Sequence, residues 1–492
     1  MSTKVPVLQQ IRGLKPNFWF SNWMEANERL AFFGVRAILP LSMVYAVAQG
    51  GMGLTYSQKG LIYSVWALVQ CLVPMISGGF TDQYGYKKSL YVAYTINILG
   101  YLCFAFATGF WSALGASCLI GLGTAIFKPP VQGTIAKAST EDNSSIAWGV
   151  FYWMVNLGGF LAPMLAAQLR GETNFKLVFY CAAGVTAFNF VPTLLFYKEP
   201  EKVGPSEYKS PGQTFVDTIT TLKDKNFLIF LGIFSGFWFM FMQLWDLLPN
   251  FIDEWVNSRD IAGAVHAMNP GWLLASGNVK PEILVNIDSA AIIAFMLIIA
   301  WMTGKLHPMV ALISGMVVSV VAFIGTGVFN VGLLVALAIF IFAVGEMMCS
   351  PKFSEYIGLT APADKKAVYM GYSNIPFAVG WGLGNLISGP LYEHLGSRVH
   401  FAREYLVHNL GMPAAAVARI PEENVLSTMT ARLNGGLGGT VEQANTLLWN
   451  AHHPWRVWVI LGAVGLLSTL AMVGYYQKTK HSGISSNQSA AA

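Results

Sequence analysis

The sequence predicts an all-α, polytopic membrane protein made of two six-helix bundles. Three observations carry that expectation. Only 11% of the 492 residues are charged and 54% are hydrophobic, against about a quarter charged in an average soluble domain. Mean hydropathy is +0.50. Apolar runs of about 20 residues, long enough to cross a bilayer as helices, recur along the whole chain in two groups of six.

The first group lies near 29–49, 58–80, 89–109, 112–135, 147–168 and 176–197. A polar linker bearing Pro, Lys and Glu follows over 198–226. The second group lies near 227–249, 286–304, 308–327, 331–350, 368–390 and 455–476. The domains are therefore an N-terminal bundle over 1–197, the linker, and a C-terminal bundle over 227–492. Polar segments interrupt the second bundle at 250–285 and 391–453. The latter holds "NGGLGG" (434–439) and amphipathic pieces such as "FAREYLVHNL" (401–410), and it reads as a small, peripheral helical cap outside the membrane. Lysines cluster at one side of the predicted spans, among them Lys4, Lys15, Lys137, Lys305, Lys352, Lys478 and Lys480. The positive-inside rule then puts both termini in the cytoplasm of a cell (inner) membrane.

Several function classes are excluded. A net charge of +5 in such a chain reads as cytoplasmic anchoring rather than nucleic-acid binding. The five cysteines, Cys71, Cys103, Cys118, Cys181 and Cys349, all sit in apolar runs, with no CxxC and no disulfide framework. The chain contains no phosphate-binding loop and no HExxH, and its eight histidines are scattered. No enzyme, metal site or cofactor is expected.

Two sets of motifs point to transport. The halves echo one another: "FKPP" near the inner end of the fourth span pairs with "CSPK" in the tenth, and "NLGGFLAP" in the fifth with "NLISGP" in the eleventh. Corresponding Gly/Pro-interrupted helices in two halves mark a repeat transporter with a central site. Between the second and third spans, "GGFTDQYGYKKS" (78–89) resembles the signature loop of the major facilitator superfamily, Gly-x-x-x-Asp-x-x-Gly-x-Lys/Arg-Lys/Arg. Gly79, Asp82, Gly85, Lys87 and Lys88 would form this conformational loop. Gly79 would let the helix ends close up, Asp82 would sit at a helix terminus, and the lysines would stay on the cytoplasmic face.

The stretch "MEANERLAFFGVRAILPL" (24–41) carries four charges inside, or at the mouth of, an apolar run. At 100° per residue, Glu25, Glu28, Arg29 and Arg36 share an arc of about 100°. A charged stripe at bilayer depth must face protein or water, and Glu25 and Arg29, four residues apart, can pair.

"EANERLAFFGVRAIL" resembles the Glu-x-x-Glu-Arg-Phe-x-Tyr-Tyr-Gly motif, followed by Arg-Ala-Ile-Leu, of the proton-coupled oligopeptide transporter family. Three further stretches are similar to motifs of that family in the same order: "GTAIFKPPV" (123–131), "FYWMVNLGGFLAP" (151–163) and "GEMMCSP" (345–351). The resemblance implies a twelve-helix major facilitator fold and a symporter that imports di-/tripeptides or related small zwitterions by alternating access. Its energy would come from the proton gradient, and its partners would be the substrate, protons and membrane lipids, with the chain working as a monomer. It also implies roles. Arg36 and Lys128 would face the substrate carboxylate, Glu346 and Asn156 would hold the amino end, and Glu25, Glu28, Arg29 and Lys128 would form the proton-coupling cluster.

The sequence departs from the family at informative places. Phe32 and Phe33 replace the two tyrosines expected to contact substrate, and Met242 stands where the seventh span of the family carries a glutamate. Arg36 then needs another counter-ion. Asp246, about 6 Å farther along the same face, and Asp288 in the eighth span are the candidates. These departures keep two alternatives open: a same-fold symporter or facilitator for a small anion or modified amino acid, and a non-transporting receptor or scaffold.

Overall fold

The computed structural model describes residues 7–140, 143–200, 224–360, 369 and 372–481. Among these, regular structure is helical, apart from two isolated bridges, Asn257 to Val331 and Leu273 to Val279. The first half contributes six spans: Pro16–Val44, Tyr56–Leu72 continued by Pro74–Tyr84, Tyr86–Ala105, Phe110–Ala138, Ser144–Arg170, and Phe175–Phe188 with Phe190–Leu195. The second contributes Lys225–Phe241 continued through Gln243–Asp246 and Leu248–Trp255, then Pro281–Val285 with Ile287–Thr303. Pro308–Val328, Gly332–Thr360, Asn374–Leu395 and Arg456–His481 complete it.

Eight helices in the described residues are long and apolar enough to cross a membrane on length and composition alone. The first, second, third and eleventh spans fall outside that set. Three of these four line the seam between the halves, where the second span packs on the eleventh and the first meets the outer part of the seventh. Polar side chains of these spans, among them Glu28, Arg36 and Lys59, are buried there, as groups at bilayer depth must be unless they meet water.

Two boundaries differ from the sequence expectation. The first span begins at Pro16, well before residue 29. Pro16 occupies the opening turn, where its missing N–H is harmless, and Glu25 and Glu28 lie inside the helix, 4% and 0% exposed. The segment 250–285 is not a separate outer domain. Its beginning is the last helical stretch of the seventh span and its end opens the eighth. Asn250, Asp253 and Glu254 look like loop residues by hydropathy, yet they are partners of the first half.

The cap is also less detached than its composition suggests. The eleventh span runs on to Leu395, and helices Arg398–His408, Ala414–Ala418, Glu422–Arg432 and Val441–His452 follow. They enclose Phe401, Leu406, Val417, Val425, Met429 and Leu448, all buried. Trp255 Nε1 donates to the Gly396 carbonyl at 2.8 Å, and Arg398 Nη1 to the Glu254 carbonyl at 2.7 Å. The cap is thus fastened to the end of the seventh span. We call this end of the molecule the capped end, and the opposite one, where the first span begins and the last one ends, the terminal end.

The halves touch most closely where side chains are missing. A Cβ on Gly60 would stand 2.3 Å from the Asn385 carbonyl oxygen, and one on Gly389 would stand 2.4 Å from that of Tyr56. The second and eleventh spans therefore meet backbone to backbone near the capped end. Gly60→Val should force them apart, at a cost of about 1–3 kcal/mol for an overpacked contact. The expected result is a lower melting temperature in detergent and faster maleimide labelling of a cysteine at Tyr45. Gly232→Val, at a helical glycine with open space around it, should change neither.

Candidate functional site

The charges of the seam fall into three groups. In the first, Arg29 is held by its own helix: Nε lies 3.2 Å from Glu25 Oε1, and Nη2 pairs with Glu28. Thr124 of the fourth span donates to Glu28 Oε1 at 3.1 Å. Phe32 and Phe33 present their rings to the guanidinium, with centroids 5.1 and 5.7 Å away. The two residues that replace tyrosines thus hold Arg29 by cation–π contact, and Phe32 packs edge-on against Trp66. The "NLGG" motif of the fifth span has a matching purpose. A Cβ at Gly158 would stand 2.7 Å from that of Arg29, so only glycine lets the fifth span approach the charged face. Lys128 is half-buried, acts electrostatically on this cluster, and has no ion pair within 4.0 Å among the described residues.

The second group joins the halves. Arg36 Nη2 donates to Asp246 Oδ1 at 2.9 Å, and the guanidinium lies 4.5 Å from the Trp381 ring centroid. Trp381 Nε1 and Asn385 Nδ2 both donate to Asp246 Oδ2, at 2.6 and 2.8 Å. Lys59 Nζ donates to the Asp246 carbonyl at 2.7 Å and to Asn250 Oδ1 at 2.6 Å, and Asn250 Nδ2 donates to the Pro40 carbonyl. Of the two candidate counter-ions of Arg36, the structure pairs Asp246. Asp288 belongs elsewhere, and that alternative is corrected: the eighth span carries it to Glu346. Arg36 is 7% exposed and committed to Asp246, so in this conformation it is not open to a ligand.

The third group is in the second half. Asp288, fully buried at the start of the eighth span, faces Glu346 of the tenth, and the two carboxyls interact directly. Tyr152 of the fifth span faces both carboxyls. Asn156, one turn on, donates to the Tyr152 carbonyl at 2.8 Å and is half-buried.

Further cross-links lie toward the capped end. Arg170 Nε and Nη2 clasp Glu282 at 2.5 and 3.1 Å, and Lys280 Nζ donates to the Ala167 carbonyl. Tyr45 donates to Asp253, and Tyr56 and Tyr392 donate to the two oxygens of Glu254, each at 2.8 Å. Among the described residues, every side-chain hydrogen bond between the halves runs from the Arg36 level to the capped end. The seam is closed there, and a cavity of about 990 Å³ lies above it under the cap. Sequence reasoning missed Lys59, Arg170, Glu254 and Glu282. Lys59 sits at the second residue of a predicted span and Arg170 just past the end of another, where a charge is unremarked, whereas Glu254 and Glu282 fall in the polar segment 250–285.

In the conformational loop, Gly79 and the Asp82 side chain lie outside the described residues. Gly85 has φ +104°, a value that favours glycine, and its bare Cα admits Glu199, whose carboxylate accepts from the Tyr86 and Lys87 amides at 2.6 and 2.9 Å. Lys87 Nζ reaches the Leu194 and Tyr197 carbonyls at 3.3 Å. Lys88 is exposed.

Two helical bundles that meet along a charged seam, cross-linked toward the capped end, define a multi-pass membrane transporter. The chain belongs to the Major Facilitator Superfamily, whose family model matches residues 29–385. It is 26% identical over 264 residues to a di-/tripeptide transporter of Lactococcus lactis subsp. lactis, covering 52% of this chain and about half (51%) of that protein. It is 22% identical over 377 residues to the multidrug resistance protein MdtH of Shigella sonnei, covering 76% of this chain and 86% of that one. Its fold matches that of a POT family transporter solved in complex with 5-aminolevulinic acid. There the TM-score is 0.67 at 16% identity, over 94% of this chain and 96% of that one.

Removing one member of the Arg36–Asp246 pair strands a buried charge, which costs about 3–5 kcal/mol. Asp246→Asn should lower detergent stability by that order. A double-mutant cycle with Arg36→Met should return a coupling of about 0.5–3 kcal/mol. The same cycle on Arg36 and Asp288 should return none, and melting curves of the purified variants would check both.

Proposed function

We propose that this protein is a proton-coupled symporter of small zwitterions, di- and tripeptides foremost, working by alternating access in a cell (inner) membrane with both termini cytoplasmic. One observation carries the reading. With Arg29 held by Glu25 and Glu28, Arg36 by Asp246, and Lys59 by the Asp246 carbonyl and Asn250, two charged features of the three groups remain uncommitted among the described residues. They are of opposite sign and on opposite halves: Lys128, and the Asp288–Glu346 pair. A peptide carboxylate toward Lys128 and its ammonium toward the carboxyl pair would satisfy both and draw the halves together. A simple anion would meet the carboxyl pair with nothing to offer it, which disfavours the anion alternative.

The capped end faces outward in this orientation, so the conformation is closed to the outside. Opening it requires separating Arg36 from Asp246 and Arg170 from Glu282, and closing the terminal end around substrate compensates. Proton coupling is placed on the first span. A proton on Glu25 or Glu28 weakens the hold on Arg29, and the freed guanidinium adds positive charge beside Lys128 for the substrate carboxylate. The similarity to a di-/tripeptide transporter and to a POT fold that holds a small amino acid supports the same substrate class. Lipids are the expected surroundings, and a monomer suffices, since the site lies within one chain.

Glu25→Gln and Glu28→Gln proteoliposomes test the coupling. Both should lose accumulation of labelled dialanine driven by a proton gradient, by at least tenfold, while counterflow exchange at equal pH persists. Undiminished accumulation in both would remove these residues from the coupling step.

A further inference from the structure

Asp288 and Glu346 form an arrangement that the first-span cluster does not explain. Both lie at bilayer depth on different helices, and Asp288 is 0% exposed. Three of their carboxyl oxygens, both of Asp288 and Oε2 of Glu346, are closed to solvent and reached by no N–H or O–H donor among the described residues. The charged and titratable neighbours are few. Tyr152 faces the pair from the fifth span and Cys349 lies beside Glu346 on the tenth. Among the described residues, no lysine or arginine forms an ion pair with either carboxyl within 4.0 Å. In the first-span cluster, by contrast, each glutamate pairs with Arg29.

Two carboxylates side by side without a cation repel each other strongly, and a hydrogen bond between carboxyl groups exists only when one of them carries a proton. The three charged groups together call for the same proton. Their carboxyls are Glu25, Glu28, Asp246, Asp288 and Glu346, and their cations are Arg29, Arg36, Lys59 and Lys128. With every group ionised, the acids exceed the bases by one. Met242 of the seventh span, 3% exposed, adds no charge to this sum.

We propose that Asp288 and Glu346 are a shared proton site, holding one transported proton between Asp288 Oδ and Glu346 Oε in addition to any taken up by the first span. The pair then carries a single negative charge. A substrate ammonium that docks against it brings the local sum to zero without expelling the proton, so proton and substrate travel together. Removing either carboxyl abolishes the sharing, because a lone carboxylate next to an asparagine amide accepts an N–H instead and needs no proton.

Two measurements test this site. The first does not depend on transport. Infrared spectra of the purified wild type near neutral pH should show a protonated-carboxyl carbonyl band that shifts in D2O. The band should be lost in both Asp288→Asn and Glu346→Gln, and retained in Glu25→Gln. A band unchanged in Asp288→Asn, or absent from the wild type, overturns the proposal. The second rests on the symport reading above. The proton-to-dialanine ratio, taken from reversal potentials in proteoliposomes, should fall by one in Asp288→Asn, and an unchanged ratio again overturns the shared site. If wild-type proteoliposomes move no dialanine, the substrate reading fails while the infrared band still decides the proton site.

Discussion

The buried contact between Arg36 and Asp246 is the constraint on which the rest of the structure depends. It ties the first span to the seventh, and thereby one bundle to the other, at a depth where water cannot replace either partner. Its cost is met locally. Asp246 receives Arg36, Trp381 and Asn385 on its carboxylate and Lys59 on its carbonyl. Arg36 gains the Trp381 face as well. Even with its carboxylate supplied by three donors, a buried pair of this kind is not a large source of stability. Its value is that breaking it is expensive, which makes the closed capped end a discrete state. The Arg170–Glu282 clasp, the tyrosine bonds to Asp253 and Glu254, and the glycine contacts of the second and eleventh spans can then add to a closure already in register.

From that latch follows the division of labour among the remaining charges. Because Asp246 takes Arg36, the glutamates of the first span are left to Arg29, with Phe32 and Phe33 as its apolar lining. Lys128 and the Asp288–Glu346 pair stand apart, one on each half. Met242 belongs to the same logic. Without a carboxylate there, the counter-ion of Arg36 has moved one turn along the seventh span, and acidity reappears as Asp288 across from Glu346. These shifts keep the seam close to neutral while changing which groups are free to meet a ligand.

Much of this was legible in the sequence, for physical reasons that can be named. Long apolar runs give away the spans because the bilayer demands them. The stripe of Glu25, Glu28, Arg29 and Arg36 was readable because helical periodicity puts them on one face, and Asp246 because it lies one turn from Met242. What stayed hidden depends on pairing across the chain. Asp288 shows as a buried acid but not that Glu346 is its neighbour. Lys59 opens a predicted span, where a lysine reads as a membrane-edge residue, so its link to Asp246 and Asn250 did not show. The extent of the first span was underestimated because Trp19, Trp23 and the charged face blunt the hydropathy of its opening turns. Glu254 and Glu282 resembled loop residues, since local composition cannot say that a helix continues past the apolar run to meet a tyrosine or an arginine on the other half.

The central claim is that opposite ends of one substrate are held by charges on opposite halves. Competition against labelled-dialanine uptake in wild-type proteoliposomes tests it most directly. Unmodified dialanine should compete fully, whereas N-acetyl-dialanine, which lacks the ammonium, and dialanine amide, which lacks the carboxylate, should each compete at least tenfold more weakly. Equal competition by all three compounds would contradict a site that bridges the halves through both ends of a zwitterion.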